Sequence, residues 1–262
     1  AGELLSVHAN LEKMLPRLHG LTAEESCELR AMRAHVAWEL GGGLGMSTAD
    51  GDAPTVLVDK AYAYLTQNAN TDGHALGRAA HARMRLELAN LCDRALQRLR
   101  GDDSDGSGGG DSGLASSSRL DEFGGVAFEQ VIRAMADGSL EARDRLPSAL
   151  ALCRQAPHRW SEAAALLELP PTWMSLTWAP QLIAMLYDPH GAVVAPLLTR
   201  LACEYPQALF FPFHVSRAAL ERHEGIAADP PRREALAAMN AALRSPEIER
   251  LVAGFADLHN PN

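Results

Sequence analysis

Aromatic side chains are scarce in this chain: Phe, Trp and Tyr make up 5% of its 262 residues, although apolar residues make up 47%. Ala and Leu carry most of the apolar content. These are the strongest helix formers, whereas aromatic and β-branched residues fill strands. The balance points to an all-α fold before any pattern is read. Thr55-Val56-Leu57-Val58 is the one short candidate strand.

Lysine is nearly missing, with Lys13 and Lys60 its only occurrences, and the net charge is −9. Phosphate backbones are held by clustered Lys and Arg. The Arg residues are dispersed among Glu and Asp, so little direct nucleic-acid contact is expected of this acidic segment. No run of about 18 apolar residues occurs, which leaves no membrane span and no membrane partner. No secretory leader pattern opens the sequence. The chain starts at Ala1 and stops at Asn262; it reads as an intracellular segment of a longer polypeptide. Cys27, Cys92, Cys153 and Cys203 lie far apart, with no CxxC pair and no Cys–His zinc spacing. They are expected to be reduced core thiols, disulfides being the alternative.

What is present is helical periodicity. Helices are predicted over 3–15 and 23–39, the second opened by a capping box between Thr22 and Glu25 and stopped by Gly41-Gly42-Gly43. A Gly/Asp-rich loop follows over 41–53, then a helix from Pro54 to Gln67. The longest predicted helix spans Leu76–Arg100, with Met84, Leu88, Leu91, Ala95 and Leu99 on one stripe. Residues 101–118 are rich in Gly, Ser and Asp and are expected to form a disordered loop, an insertion within the fold. Helices are then predicted over 123–136, 140–155 (capped by Ser139), 158–168, from Pro170 to Tyr187, 191–205, 206–221, 231–244 and 246–258. In the Pro170–Tyr187 helix the apolar stripe is Trp173, Leu176, Pro180, Ile183 and Tyr187. In the next it is Val193, Leu197, Leu201 and Tyr205.

About a dozen helices in consecutive pairs describe an all-α fold, an α-solenoid of stacked helical hairpins of the HEAT/TPR kind. Its parts are an N-terminal helical section (1–100), the loop (101–118) and a second run of helical repeats (119–262). No strict repeat period is present.

Reactive constellations are hard to find. Gly41 to Gly45 follows a helix and lacks the Lys of a phosphate loop. The ten His residues include no HExxH. His158-Arg159-Trp160 lacks the Asp of a kinase catalytic loop, and Asp121-Glu122-Phe123-Gly124 is not a DFG sequence. No GxSxG elbow occurs. No catalytic, metal or cofactor residue is therefore assigned. Phe210-Phe211-Pro212-Phe213 is read as a buried helix bent at Pro212, with a partner-binding patch as the alternative.

Several segments nevertheless resemble a known family. Trp178-Ala179-Pro180-Gln181-Leu182-Ile183-Ala184 is similar to a Trp-containing helix of the FAT region of phosphatidylinositol-3-kinase-related kinases. Tyr205-Pro206-Gln207-Ala208-Leu209 and Phe211-Pro212-Phe213 follow at the spacing expected there. The motif residues are Trp178, Pro180, Gln181, Tyr205, Pro206, Gln207 and Pro212, assigned as structural. Three further stretches, Leu86 to Asp93, Met135 to Pro147 and Ile248 to Pro261, resemble the DNA-dependent protein kinase branch of the family. The resemblance covers residues 84–100 and 126–261 and is weak over 1–80.

The resemblance implies a non-catalytic FAT segment of a Ser/Thr kinase that acts in DNA double-strand break repair by non-homologous end joining. It implies a solenoid bracing an intramolecular kinase domain outside this chain, where ATP and Mg would bind. It further implies Ku and DNA ends as partners of the parent protein, and a nuclear location. A free-standing helical-repeat adaptor is the alternative, and an enzyme on an all-α scaffold a third reading.

Overall fold

The computed structural model describes residues 2–14, 20–43, 54–103, 112–153 and 160–259. Fifteen α-helices occur among the described residues, with no strand. Thr55–Val58, the strand candidate, forms the first turns of a helix. Two compact units, Ala1–Pro171 and Thr172–Asn262, divide the chain; the divisions expected at 100 and 118 both fall inside the first. In each unit the helices pack in pairs, the build of an all-α helical-repeat solenoid.

The first unit begins with α1 (Gly2–Met14) and α2 (Ala23–Trp38). The capping box is present: the Glu25 N–H donates to Thr22 Oγ1 at 3.2 Å and the Thr22 N–H to Glu25 Oε2 at 2.8 Å. Where a glycine stop was expected, α2 runs on through a π-helical turn, Glu39–Gly43. Residues 44–53 of the expected loop lie outside the described residues. Helix α3 (Pro54–Ala69) returns antiparallel to α2, because Arg30 meets Asn68 while Arg33 lies over the Tyr64 ring.

The long helix predicted from Leu76 is interrupted at its start. Short α4 (Gly73–Leu76) ends at Gly77, whose φ of +76° no helix tolerates, and α5 runs Arg78–Asp103. Its predicted stripe faces inward: Met84, Leu88, Leu91 and Ala95 are buried and Leu99 is half-buried. Ala34, Ala37, Ala61 and Leu65 pack in the same cluster as Leu88 to Leu99. Small Ala side chains let the helices approach closely, and each buried Leu contributes about 1.5–3 kcal/mol.

Helix α6 (Ser112–Ala136) forms a hairpin with α5, shown by Arg78 at the head of α5 bonding Ala136 O at the foot of α6. The expected 101–118 loop is therefore shorter than its composition suggests. Residues 101–103 belong to α5 and 112–118 to α6, while 104–111 lie outside the described residues. Ser and Gly cost a helix up to about 1 kcal/mol each, which an already nucleated, packed helix can override. Then α6 ends in a Schellman motif. Gly138, at φ +99°, donates to Met135 O, and the Ser139 N–H donates to Ala134 O. Ser139 caps α7 (Leu140–Asp144) through a 3.2 Å bond to the Ala142 N–H. The predicted 140–155 helix breaks at Arg145 into α7 and α8 (Leu146–Cys153), with Pro147 in the first turn of α8. Residues 154–159, including the helix start predicted at 158, lie outside the described residues. Helix α9 spans Trp160–Leu167.

The second unit departs most from expectation. Instead of one helix from Pro170 to Tyr187, a 3₁₀ turn (Thr172–Trp178) precedes α10 (Ala179–Met185). Pro180 has no N–H to give to a preceding turn, so the helix restarts around it. A three-residue period over 172–178 moves part of the expected stripe out of phase. Trp173 is 44% exposed and Pro180 is exposed, whereas Ile183 is buried as expected, Leu176 and Tyr187 are half-buried, and Met174, Leu182 and Leu186 complete the buried face. The same happens before Pro196: a 3₁₀ turn (Gly191–Val194) leads into α11 (Ala195–Glu204). There Val193, Leu197 and Leu201 are buried as expected and Tyr205 is half-buried, but Cys203 is exposed, against the expected core thiol. Cys27 and Cys92 are buried and free. Helices α12 (Pro206–Glu221), α13 (Glu224–Ala227), α14 (Pro230–Ala242) and α15 (Pro246–His259) complete the unit. The pairs are α10 with α12 and α11 with α14.

The Phe-rich run of α12 is only partly internal. Phe210 and Phe213 are 5% and 3% exposed, but Phe211 between them is 61% exposed. Phe210→Ala should therefore lower stability by about 3–5 kcal/mol, whereas Phe211→Ala should change it by no more than about 0.5 kcal/mol. Urea unfolding of both variants checks the assignment; equal losses would contradict it.

Candidate functional site

Six of the seven motif residues sit at two helix starts in the second unit, and Pro212 lies further along the second of these helices. Trp178 is the N-cap of α10, half-buried, and Pro180 and Gln181 lie exposed in its first turn. Tyr205 is at once the C-cap of α11 and the N-cap of α12. Its φ of −133° and ψ of 55° lie outside helical values. Its N–H donates to Leu201 O at 2.8 Å, and its own carbonyl accepts from the N–H groups of Ala208 and Leu209. Pro206 follows at the first helical position, where a missing N–H costs nothing. Gln207 is exposed, and Pro212 lies half-buried inside α12. Trp178 and Tyr205 stand where the chain passes from one helical element to the next.

The main polar junction of this unit was not singled out from the sequence. Arg232, 6% exposed, sits in the first turn of α14. Its Nη1 donates to Leu186 O at 3.1 Å and to Asp188 O at 2.8 Å; Nη2 donates to Gly225 O at 2.7 Å. Asp229, the N-cap of α14, receives Nε at 2.9 Å through Oδ2 and the Arg232 N–H through Oδ1. One guanidinium thus ties the end of α10, the following turn, α13 and α14 together. Gly191 completes that turn: a Cβ there would stand 2.2 Å from Met185 O, so no other residue fits. The local signal is Asp229-Pro230-Pro231-Arg232, an N-cap with two prolines, but two of its targets, Leu186 and Asp188, lie more than forty residues away in sequence.

In the first unit polar side chains bridge helix pairs. His81 lies with Nε2 3.1 Å from Ala69 O and Nδ1 3.2 Å from Asp137 Oδ2. Arg85 shares that carboxylate at 3.1 Å and also reaches Gln130 Oε1. Burial depresses the Arg85 guanidinium, with Asp137 opposing. Asn68 is fully buried; its amide donates to Cys27 O at 2.8 Å and accepts from Arg30 Nε at 2.6 Å. On α1, burial opposes ionisation of Glu12, yet hydrogen bonds from Arg33 and Tyr64 hold its carboxyl below the usual range.

The chemistry available is that of bridging. Burial raises the Cys92 thiol well above its ordinary range, so it stays protonated and unreactive at neutral pH. Burial also pushes the Tyr62 and Tyr64 hydroxyls up to about 12. Among the described residues no group of three or more His, Cys, Asp or Glu is placed to hold a metal ion, and no helix is long and apolar enough to cross a membrane. Glu87 stands apart: Oε2 is buried without a hydrogen-bond partner, and burial raises its carboxyl above the usual range.

Comparison with known proteins adds a relationship. No family model matches the chain. Over 132 residues, 50% of its length, it is 27% identical to the DNA-dependent protein kinase catalytic subunit of Xenopus laevis. It is 27% identical over 136 residues, 52% of its length, to that of Dictyostelium discoideum. To that of Mus musculus it is 25% identical over 146 residues, or 55% of its length. The chain spans only 3% of the length of each of these relatives. The similarity supports a relationship to the phosphatidylinositol-3-kinase-related kinases.

Two outcomes follow from the polar junctions. Arg232→Met strands three carbonyls and the Asp229 carboxylate, and should cost about 3–5 kcal/mol in urea unfolding. Arg232→Lys should recover only part of this, since an ammonium cannot span the fork. A loss below 1 kcal/mol in the Met variant, about the size of an exposed pair, would reject the junction. Glu87 has the opposite sign. With its folded pKa raised, it favours folding below its unfolded pKa, and that contribution is lost as pH rises through the folded value. Glu87→Gln should raise the melting midpoint at pH 7.5, and the difference should vanish by about pH 4, where the unfolded carboxyl protonates. A pH-independent difference would contradict the burial of this carboxyl.

Proposed function

We propose that this chain is a non-catalytic, FAT-like scaffold segment of a DNA-dependent protein kinase-like Ser/Thr kinase acting in double-strand break repair by non-homologous end joining. The observation that carries the reading is the similarity to DNA-dependent protein kinase catalytic subunits over half the chain, in animals and in a slime mould. The paired-helix build supports it, because stacked helices supply an extended, stiff surface for another domain. Fold alone would not carry it, since helical repeats serve many unrelated roles.

On this reading the mechanism is mechanical. Apolar stripes such as Met84–Ala95 keep the helices in register, and buried polar junctions such as that of Arg232 lock the corners. One face of the stack then braces an intramolecular kinase domain, which would hold ATP and Mg. Ku and DNA ends would be partners of the parent protein, in the nucleus, and this acidic segment would make little contact with DNA itself. The motif residues Trp178, Pro180, Gln181, Tyr205, Pro206, Gln207 and Pro212 shape the helix corners of the brace.

The test is made on the native protein. Antibodies against this segment should precipitate a Ser/Thr kinase activity stimulated by linear duplex DNA, on a polypeptide far longer than 262 residues. The transcript should encode a kinase domain downstream of the codon for Asn262. A stop codon with no kinase region, together with an inactive precipitate, would overturn the reading in favour of an adaptor.

A further inference from the structure

The first unit contains an apolar cleft of about 160 Å³ where the end of α2, α3, α5 and α6 meet. Trp38 and Phe123, 6% and 4% exposed, form its inner wall, and half-buried Val58 and Leu99 flank them. Arg98 and Arg119 stand among the lining residues. An enclosed apolar space of about 150 Å³ holds one benzene ring, so the cleft has room for a single phenyl or branched aliphatic group.

The charges around it are unlike those of the whole chain. The net charge is −9, yet Arg94 and Arg98 place their guanidinium groups 5.1 and 5.9 Å from the Trp38 ring. Neither rim arginine of the cleft is locked. Arg98 makes a long bond, 3.4 Å, to Gly41 O. Arg119 pairs with Asp59, and both side chains are well exposed; such a surface pair is worth at most about 1 kcal/mol and exchanges readily for another carboxylate. Planar guanidinium forks suit carboxylates in particular.

We propose that this cleft is a docking site for an acidic peptide segment, which inserts one aromatic or branched aliphatic side chain between Trp38, Val58, Leu99 and Phe123 and sets its flanking carboxylates against Arg98 and Arg119. The occupant follows from charge complementarity: an apolar hole rimmed by arginines selects an apolar anchor with acidic neighbours. Interfaces commonly concentrate their energy on one such buried anchor. The cleft belongs to the first unit and the motif residues to the second, and the proposal stands whether or not a kinase domain belongs to the same polypeptide.

The test uses the full 262-residue chain and amide NMR titration. The first probe is a capped pentapeptide with two acidic residues on each side of one phenylalanine. The second has lysines in place of the acids, and the third is phenylpropionate. The acidic peptide should bind saturably with a Kd of about 1 mM or tighter, shifting resonances of residues around the cleft. The lysine peptide should bind at least about tenfold more weakly. Arg98→Glu should weaken the acidic peptide by about tenfold, and Thr55→Trp, an exposed change at the lining, should abolish its binding.

No saturation by the acidic peptide, or equal binding of the lysine peptide, would overturn the proposal. Phenylpropionate binding as tightly as the acidic peptide would also overturn it, assigning the cleft to small carboxylates instead. Should a variant fail to fold, the comparison of the two peptides on the unaltered chain decides alone.

Discussion

Helix ends are the constraint on which this structure turns. Every helix leaves N–H groups unpaired at its start and carbonyls unpaired at its finish. A chain that divides itself into many short helices multiplies those ends, and each must be satisfied where it is buried. Backbone turns and the caps Thr22, Ser139 and Asp229 meet much of this, and arginine adds to it. Arg78 reaches Ala136 O at the foot of α6, and Arg232 collects Leu186, Asp188 and Gly225 at once. A planar fork with five donors can serve several carbonyls, which an ammonium cannot do as well. The near absence of lysine suits this use, and Arg232, buried among three carbonyls, is its fullest case.

Much of the fold was legible because much of it is local. The Thr22–Glu25 box, the Gly138 stop and the Ser139 cap each depend on residues within five positions of one another. The Met84–Ala95 stripe was legible because α5 is long enough for its period to be unambiguous. Departures arose where a proline restarts a helix after a 3₁₀ turn, whereas α12 runs unbroken through Pro212 over its expected span. Pro180 and Pro196 each follow a short 3₁₀ turn, and a change of period from 3.6 to 3 moved Trp173 from the expected core to the surface. Composition misled in the opposite direction at 112–118, where a Ser-rich stretch is helical.

The candidate sites were less legible for a different reason. The motif residues could be placed from a resemblance, but the role of Tyr205 in joining α11 to α12 emerges only from its backbone angles and bonds. Arg232 looks like one more exposed helix arginine until its partners are brought from residues 186, 188 and 225. Likewise the cleft at Trp38 draws on residues as distant as Phe123. No pattern within one element encodes such a meeting; it is a product of how four helices pack.

The Tyr205 corner has a mechanical meaning. A loop of several residues between two helices behaves as a slack tether, and tilting one helix leaves the other at rest. A single non-helical residue that caps one helix and opens the next provides little slack. Any rotation of α12 is then delivered to α11 through one peptide unit, as torque passes through a keyed shaft. A change in the angle between the two helices falls on the backbone angles of Tyr205 and on shear between packed side chains, since no longer loop lies between them.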